Sequence, residues 1–319
     1  MTNSPVYSDR TRLEMVLKGR APDYPPHFEM LFQLELEAFG MDRAALDSKP
    51  GDPTGRTLAF EIEMRARVAE RYGWAAVDTG FPGADTPEGM KRLQDAIGGR
   101  ALIFAFNGQG TFWMPPVGTD GIEMTDFASM LYEEPEQLHE VARRKCKESI
   151  ELARRQAGLG VDFIIMNSDY AYNQAPFISP DHFREFVTPY LAEIVAAIHE
   201  LGLPVLLHSD GNLNKILDQI HSTGVDGHQS VDPQGGMDLA RVRAAYPDWV
   251  LMGNVACNLL QDVDEEQIRL AVRDCMRDGG IGRRYIFSTS NCVFKGMPLE
   301  SYEIMHDEYR RIVAPSPVG

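Results

Sequence analysis

Short apolar runs recur along the chain, separated by longer stretches of helical periodicity, and this alternation predicts parallel strands joined by crossover helices. The runs at 26–30, 74–78, 101–106, 161–166, 203–208, 225–229, 249–253 and 284–288 make eight candidate strands. Leu203-Pro204-Val205-Leu206-Leu207 has no polar member, the pattern of a strand buried on both faces. Helical patterns occupy 135–158, 180–201, 213–223, 239–246 and 265–278. Ser179-Pro180 places a capping hydroxyl before a first-turn proline, Asp264 with Gln267 has capping-box spacing, and Gly202 stops the helix that Ser179 starts. Pro189 removes a backbone donor inside that helix and crowds the turn before it, so a kink is expected. Eight strand-helix units most simply close into a (β/α)8 TIM barrel, here one α/β domain over 1–319 with an N-terminal helical extension.

In such a barrel the functional side chains gather at the carboxyl ends of the strands. That filter selects Glu29, Asp78, Asn107, Asn167 with Asp169, His208 with Asp210, His228 with Gln229, Asn254 with Cys257, and Ser290 with Asn291 and Cys292. A purely structural barrel has no need of polar groups after so many strands, so some are expected to line a polar cavity. The central candidate is His208, directly after an apolar run and two residues from a carboxylate. Each candidate also has an ordinary role. His208 can be a core histidine bonded to backbone, Asp210 before Gly211-Asn212 can cap a helix, and Cys292 can be a small buried hydrophobe. Asp169, Tyr170 and Tyr172 can form a surface loop. Cys146 and Cys275 fall in helical patterns, and Asp238 has the position of a cap. The stretch 109–126, rich in Gly, Pro and Met, is expected to be a loop over the barrel mouth, where Phe112, Trp113 and Met114 lid the cavity or pack on the rim.

Composition narrows the partners. With 319 residues and 44% hydrophobic content the chain can bury a large core. A formal charge of −16 opposes a broad nucleic-acid surface, which needs clustered Lys and Arg. Four scattered cysteines do not make a disulfide framework and are read as free thiols. No uncharged apolar stretch approaches the roughly 18 residues of a membrane span, and the first ten residues lack a signal-peptide core, so a cytoplasmic protein is expected.

Taken in order, several phrases resemble the uroporphyrinogen decarboxylase superfamily, and within it the branch of cobalamin-linked methyltransferases. They are Asp162-Phe163-Ile164 leading to Asp169-Tyr170-Ala171-Tyr172, Phe177-Ile178-Ser179-Pro180 with Phe183-Arg184 and Pro189-Tyr190, and His208-Ser209-Asp210-Gly211-Asn212. Gly236-Met237-Asp238-Leu239, Gly253-Asn254-Val255, and Ser290-Asn291 followed by Pro298-Leu299-Glu300 continue the series. The decarboxylase proper meets its polycarboxylate substrate with an arginine-bearing N-terminal segment of the type Arg-Gln-Ala-Gly-Arg. Here the stretch reads Glu29-Met30-Leu31-Phe32-Gln33-Leu34-Glu35, with acids where cations are needed.

Some of the methyltransferases bind zinc through a His-x-Cys element plus a later Cys. His208 and Cys292 match two of those positions, and Asp210, a harder ligand than thiolate, replaces the first Cys. The resemblance thus implies that His208, Asp210 and Cys292 bind zinc, or that His208 protonates the departing atom. It implies His208 and Asp169 as catalytic groups, with Glu29, Asp78, Tyr170, Tyr172, His228, Gln229 and Asn254 around a small methylated substrate, a methoxylated aromatic being favoured. The Asp-x-His-x-x-Gly signature of cobalamin modules is absent, so cobalamin is expected on a separate corrinoid protein. A homodimer is also implied. Decarboxylation of a smaller substrate and a non-catalytic barrel subunit are the alternative readings.

Overall fold

A computed structural model describes residues 7–47, 53–107 and 124–314. Among them the fold is mixed α/β, with seven strands: β1 Ala76–Asp78, β2 Leu102–Phe106, β3 Phe163–Asn167, β4 Val205–His208, β5 Gly227–Gln229, β6 Val250–Val255 and β7 Tyr285–Thr289. Their order in the sheet is their order in the chain, and helices lie in the connections. Seven of the eight expected strands are therefore present, each within a few residues of its apolar run.

The eighth, 26–30, is reduced to a single parallel bridge between His27 and Phe287. Phe287 N–H donates to the Pro26 carbonyl at 2.9 Å and Ala75 N–H to the His27 carbonyl at 2.8 Å, so this segment has partners on both sides. It fails as a regular strand for two reasons. Pro26 has no N–H to give, and the N–H of Thr289, which would extend the ladder, donates to the Glu29 carboxylate at 3.0 Å.

Two compact units divide the chain, residues 1–103 with 239–319 and residues 104–238. In the second unit β3 pairs with β4 and β4 with β5, all parallel. Ile164, Ile165, Val205, Leu206 and Leu207 are wholly buried, each such side chain stabilising the fold by about 1.5–3 kcal/mol. The helices Pro135–Leu159 and Thr188–Glu200 pack together in this unit, the latter burying Leu191, Ile194 and Ile198 on one face. The expected kink is a break: Pro180–Phe186 and Thr188–Glu200 are separate helices, because Pro189 leaves the first without a continuing donor. Ser179 caps the first, accepting from His182 N–H at 3.1 Å.

The first unit pairs β6 with β7 in parallel and buries an aromatic cluster in which Phe287 stacks on Tyr309 with ring centres 4.8 Å apart. Asp264 caps Glu265–Gly279 through Gln267 N–H, as its spacing predicts. Of the expected loop 109–126, residues 109–123 lie outside the described residues, and with them Phe112, Trp113 and Met114; its end opens the helix Met124–Glu133. No described helix is long and apolar enough to cross a membrane.

Candidate functional site

The second unit places Asn167, His208 and Gln229 in register across β3, β4 and β5. Register-matched residues of parallel strands share a face. The His208 Nδ1–H donates to Gln229 Oε1, which fixes the ring and leaves Nε2 as its reactive nitrogen. That Nε2 lies 3.6 Å from Asp169 Oδ1 and 3.9 Å from Asp210 Oδ2. The three side chains offer donor atoms that all lie within 4.8 Å of one another.

The two carboxylates reach the imidazole by the same route. Asn167-Ser168-Asp169 and His208-Ser209-Asp210 leave adjacent strands from residues in register, so each aspartate stands two positions beyond the row. Asp169 Oδ1 accepts the Asp210 N–H at 3.2 Å, and Asp210 Oδ1 accepts the Ser230 hydroxyl at 2.7 Å. Burial raises the proton affinity of Asp210, against the lowering by the charge of His208 and the bond from Ser230; Asp169 and Asp232 raise it further.

Backbone contacts lock the loops that carry these groups. Tyr170 N–H donates to Ser209 Oγ at 3.0 Å, Asn212 N–H to the Tyr172 carbonyl at 2.8 Å, and Gly211 N–H to Asp232 at 3.2 Å. Gly211 has φ 81°, and a Cβ there would stand 2.6 Å from the Ala171 carbonyl oxygen, so the approach requires glycine. After β5, Ser230 (φ 103°) and Val231 (φ 44°) hold positive φ without being glycine, a costly conformation above all for a β-branched residue. Asn107 Oδ1, Asn167 Oδ1, Ser168 Oγ and Gln229 Nε2 are buried with no hydrogen-bond partner among the described residues. Each such atom costs about 1–3 kcal/mol, a cost that a bound ligand can recover.

The other candidates are placed as follows. His228 is a core histidine: it is fully buried, its Nδ1 bonds the Leu207 carbonyl at 3.1 Å, and burial pushes its pKa down to about 3, so it is neutral. Tyr170 is buried edge-on against Phe183, while Tyr172 is 53% exposed beside Phe177. Asp210 does not cap the next helix, which begins only at Leu217 with no side-chain cap.

Glu29, Asp78, Asn254, Cys257 and Cys292 belong to the first unit. Asp78 pairs with Arg65 at 2.6 Å and accepts the Gly80 N–H. Asn254 accepts from Cys275, and the Cys257 thiol donates to the Cys292 carbonyl at 3.6 Å. All four cysteines are buried, and Cys292 is not among the grouped donor atoms. Glu29 is wholly buried, and desolvation pushes its pKa up to about 8. A separate cavity of this unit, lined by Gln33, Glu35, Arg43 and Lys295 among others, includes none of the strand-end candidates.

Sequence reasoning found every member of the Asp169-His208-Asp210 group but gave Asp169 a catalytic role and put Cys292 in its place among the ion's ligands. It missed Ser230 entirely. The repeated x-Ser-Asp at neighbouring strand ends was the available signal for the pairing.

One imidazole nitrogen and two carboxylates make a donor set suited to a divalent cation. Comparisons with known proteins bear on what such a site serves. The family model for Uroporphyrinogen decarboxylase (URO-D) matches residues 88–312, more than half of the chain. The uroporphyrinogen decarboxylase of Anaeromyxobacter sp. (strain Fw109-5) is 25% identical over 280 residues, covering 86% of this chain and 76% of that protein. That of Arabidopsis thaliana, uroporphyrinogen decarboxylase 2, chloroplastic, is 25% identical over 67% of this chain and 53% of its own length. Among solved structures, a methyltransferase from Methanosarcina mazei superposes with a TM-score of 0.77 at 18% identity, covering 97% of this chain and all of its own. That likeness is one of fold.

Proposed function

The chain belongs to the uroporphyrinogen decarboxylase family, a family of enzymes, and from that premise we propose that it is a corrinoid-dependent methyltransferase built on a (β/α)8-type barrel. It takes a methyl group from a small methoxylated aromatic and passes it to cobalamin carried by a separate corrinoid protein. The observation that carries this reading is the grouping of Asp169, His208 and Asp210 around one open imidazole nitrogen.

Zinc or a similar divalent ion fits these residues, because Gln229 holds His208 Nδ1 and leaves Nε2 to coordinate beside two hard oxygen donors. Bound there, the ion supplies Lewis acidity to the heteroatom that bears the methyl group. Asp169, anchored by the Asp210 N–H, and Asp210, anchored by Ser230, keep their carboxylates turned to the same point. In protein without the ion, the His208-Asp210 pair gives the departing oxygen its proton, and burial raises the proton affinity of Asp210. Asn167 Oδ1 and Gln229 Nε2 offer one buried acceptor and one buried donor to the substrate.

The names of the curated relatives favour a second reading, decarboxylation. Two carboxylates at the centre of the site disfavour a polycarboxylate by like-charge repulsion, so that reading requires a smaller acid. Cob(I)alamin methylation, assayed against methoxyarenes, methylamines and methyl thiols, separates the two. The expected result is methylation from a methoxyarene that falls at least about 100-fold in His208→Ala, the scale of losing a general acid or a metal site. Carbon dioxide release without cobalamin, and no methylation from any donor, overturns the proposal.

A further inference from the structure

Consecutive side chains of a strand point to opposite faces, yet Gln229 and Ser230, neighbours in sequence, both reach the same group. Gln229 accepts from His208, and the Ser230 hydroxyl donates to Asp210 Oδ1 at 2.7 Å. The chain achieves this by leaving the β conformation immediately after Gln229. Ser230 has φ 103° and Val231 φ 44°, the only non-glycine residues with positive φ among those described. All three residues are completely buried. Backbone strain of this kind persists only where the surroundings hold it in place.

We propose that Gln229 and Ser230 are a pair of positioning residues, and that the strained turn at Ser230-Val231 exists to bring Ser230 to the group that strand register already gives Gln229, one fixing the imidazole and the other a carboxylate. Gln229 is expected from the sequence to line the substrate; its Oε1 is committed to the ring, and Nε2 is the buried amide atom left for a ligand. Gln229 Oε1 accepts from the imidazole and the Ser230 hydroxyl donates to the carboxylate, so each of these atoms is spent on one of the grouped donors. Their effect is to bring His208 Nε2 and the Asp210 carboxylate to one point before any ion arrives, so that binding does not have to organise them. The inference rests on the metal-binding reading of Asp169, His208 and Asp210.

Titration of the apo-protein with Co(II) alone, followed by its visible absorption, tests the pair without any activity assay. Loss of an orienting partner of a ligand typically weakens metal affinity about 10–100-fold. Gln229→Leu is expected to show that loss, and Gln229→Glu, which keeps an acceptor oxygen, to restore affinity to within about 3-fold of the parent. Ser230→Ala is expected to weaken binding about 10-fold and to shift the Co(II) spectrum. Ser230→Gly, which relaxes the backbone but also removes the hydroxyl, should weaken binding as much as Ser230→Ala. Melting of each apo variant separates misfolding from mispositioning, since the Glu rescue has no reason to follow from a purely structural role. Parent-like affinity in both Gln229→Leu and Ser230→Ala overturns the positioning role while leaving the metal reading intact. A parent protein that takes up no Co(II) overturns both.

Discussion

His208 differs from the core histidines in its partners rather than in burial alone. The chain has two other wholly buried imidazoles, His27 and His228, and desolvation pushes both down to about 3, leaving them neutral and bonded to backbone carbonyls. His208 instead gives one nitrogen to an amide oxygen and turns the other toward two carboxylates. Glu29 shows the opposite use of a buried acid. Burial holds its pKa at about 8, so at neutral pH it keeps its proton while accepting from Thr289. Because the folded state holds this proton and the unfolded chain releases it near pH 4.3, stability falls with rising pH across that window and levels off above about pH 8. Glu29→Gln, which keeps the shape of the neutral acid, is expected to flatten that slope and to make the variant more stable than the parent above pH 8. Denaturant midpoints measured from pH 5 to 9 check this, and an unchanged slope shows that Glu29 is ionised in the folded protein.

At the level of elements, glycine and register decide what the site can be. Gly211 lets the loop after β4 touch the loop after β3, and those two loops carry Asp210 and Asp169. Gly211→Ala must place a methyl 2.6 Å from the Ala171 carbonyl at φ 81°. The expected outcome is a stability loss of at least about 1–3 kcal/mol, together with weaker Co(II) binding; a variant as stable as the parent shows that the two loops are not held together. The apolar runs made seven strands legible because continuous hydrophobicity reports burial on both faces. The segment 26–30, Pro26-His27-Phe28-Glu29-Met30, alternates apolar and polar positions and does not make the ladder, since no hydrophobic pattern reveals that a carboxylate side chain will take a neighbour's N–H. The site was legible to the same extent. Strand-end position picked out Asp169, His208 and Asp210, whereas their convergence depends on the Asn167-to-His208 register, and the role of Ser230 depends on a positive φ that a serine does not advertise.

For the whole molecule, what matters is that all three donors lie within residues 104–238, whereas Cys292 lies in the unit formed by 1–103 and 239–319. Ligation by three residues of one unit would stabilise that unit by an amount that grows with the logarithm of the free ion concentration, about 2.7 kcal/mol at 100 times the dissociation constant. Amide hydrogen exchange with and without Co(II) should therefore show added protection at 163–172 and 205–236 and none at 284–293. A fourth ligand from Cys292 makes a different prediction, because a cobalt-bound thiolate absorbs strongly in the near ultraviolet and Cys292→Ser would abolish that band and weaken binding. The three-donor set predicts no such band and unchanged affinity in Cys292→Ser. A hard nitrogen-and-oxygen site favours an ion held by carboxylates over one that selects thiolates, and the four thiols are buried. Appearance of the thiolate band together with protection near residue 292 would bring the last strand's end into the ion's shell and make the site a property of both units.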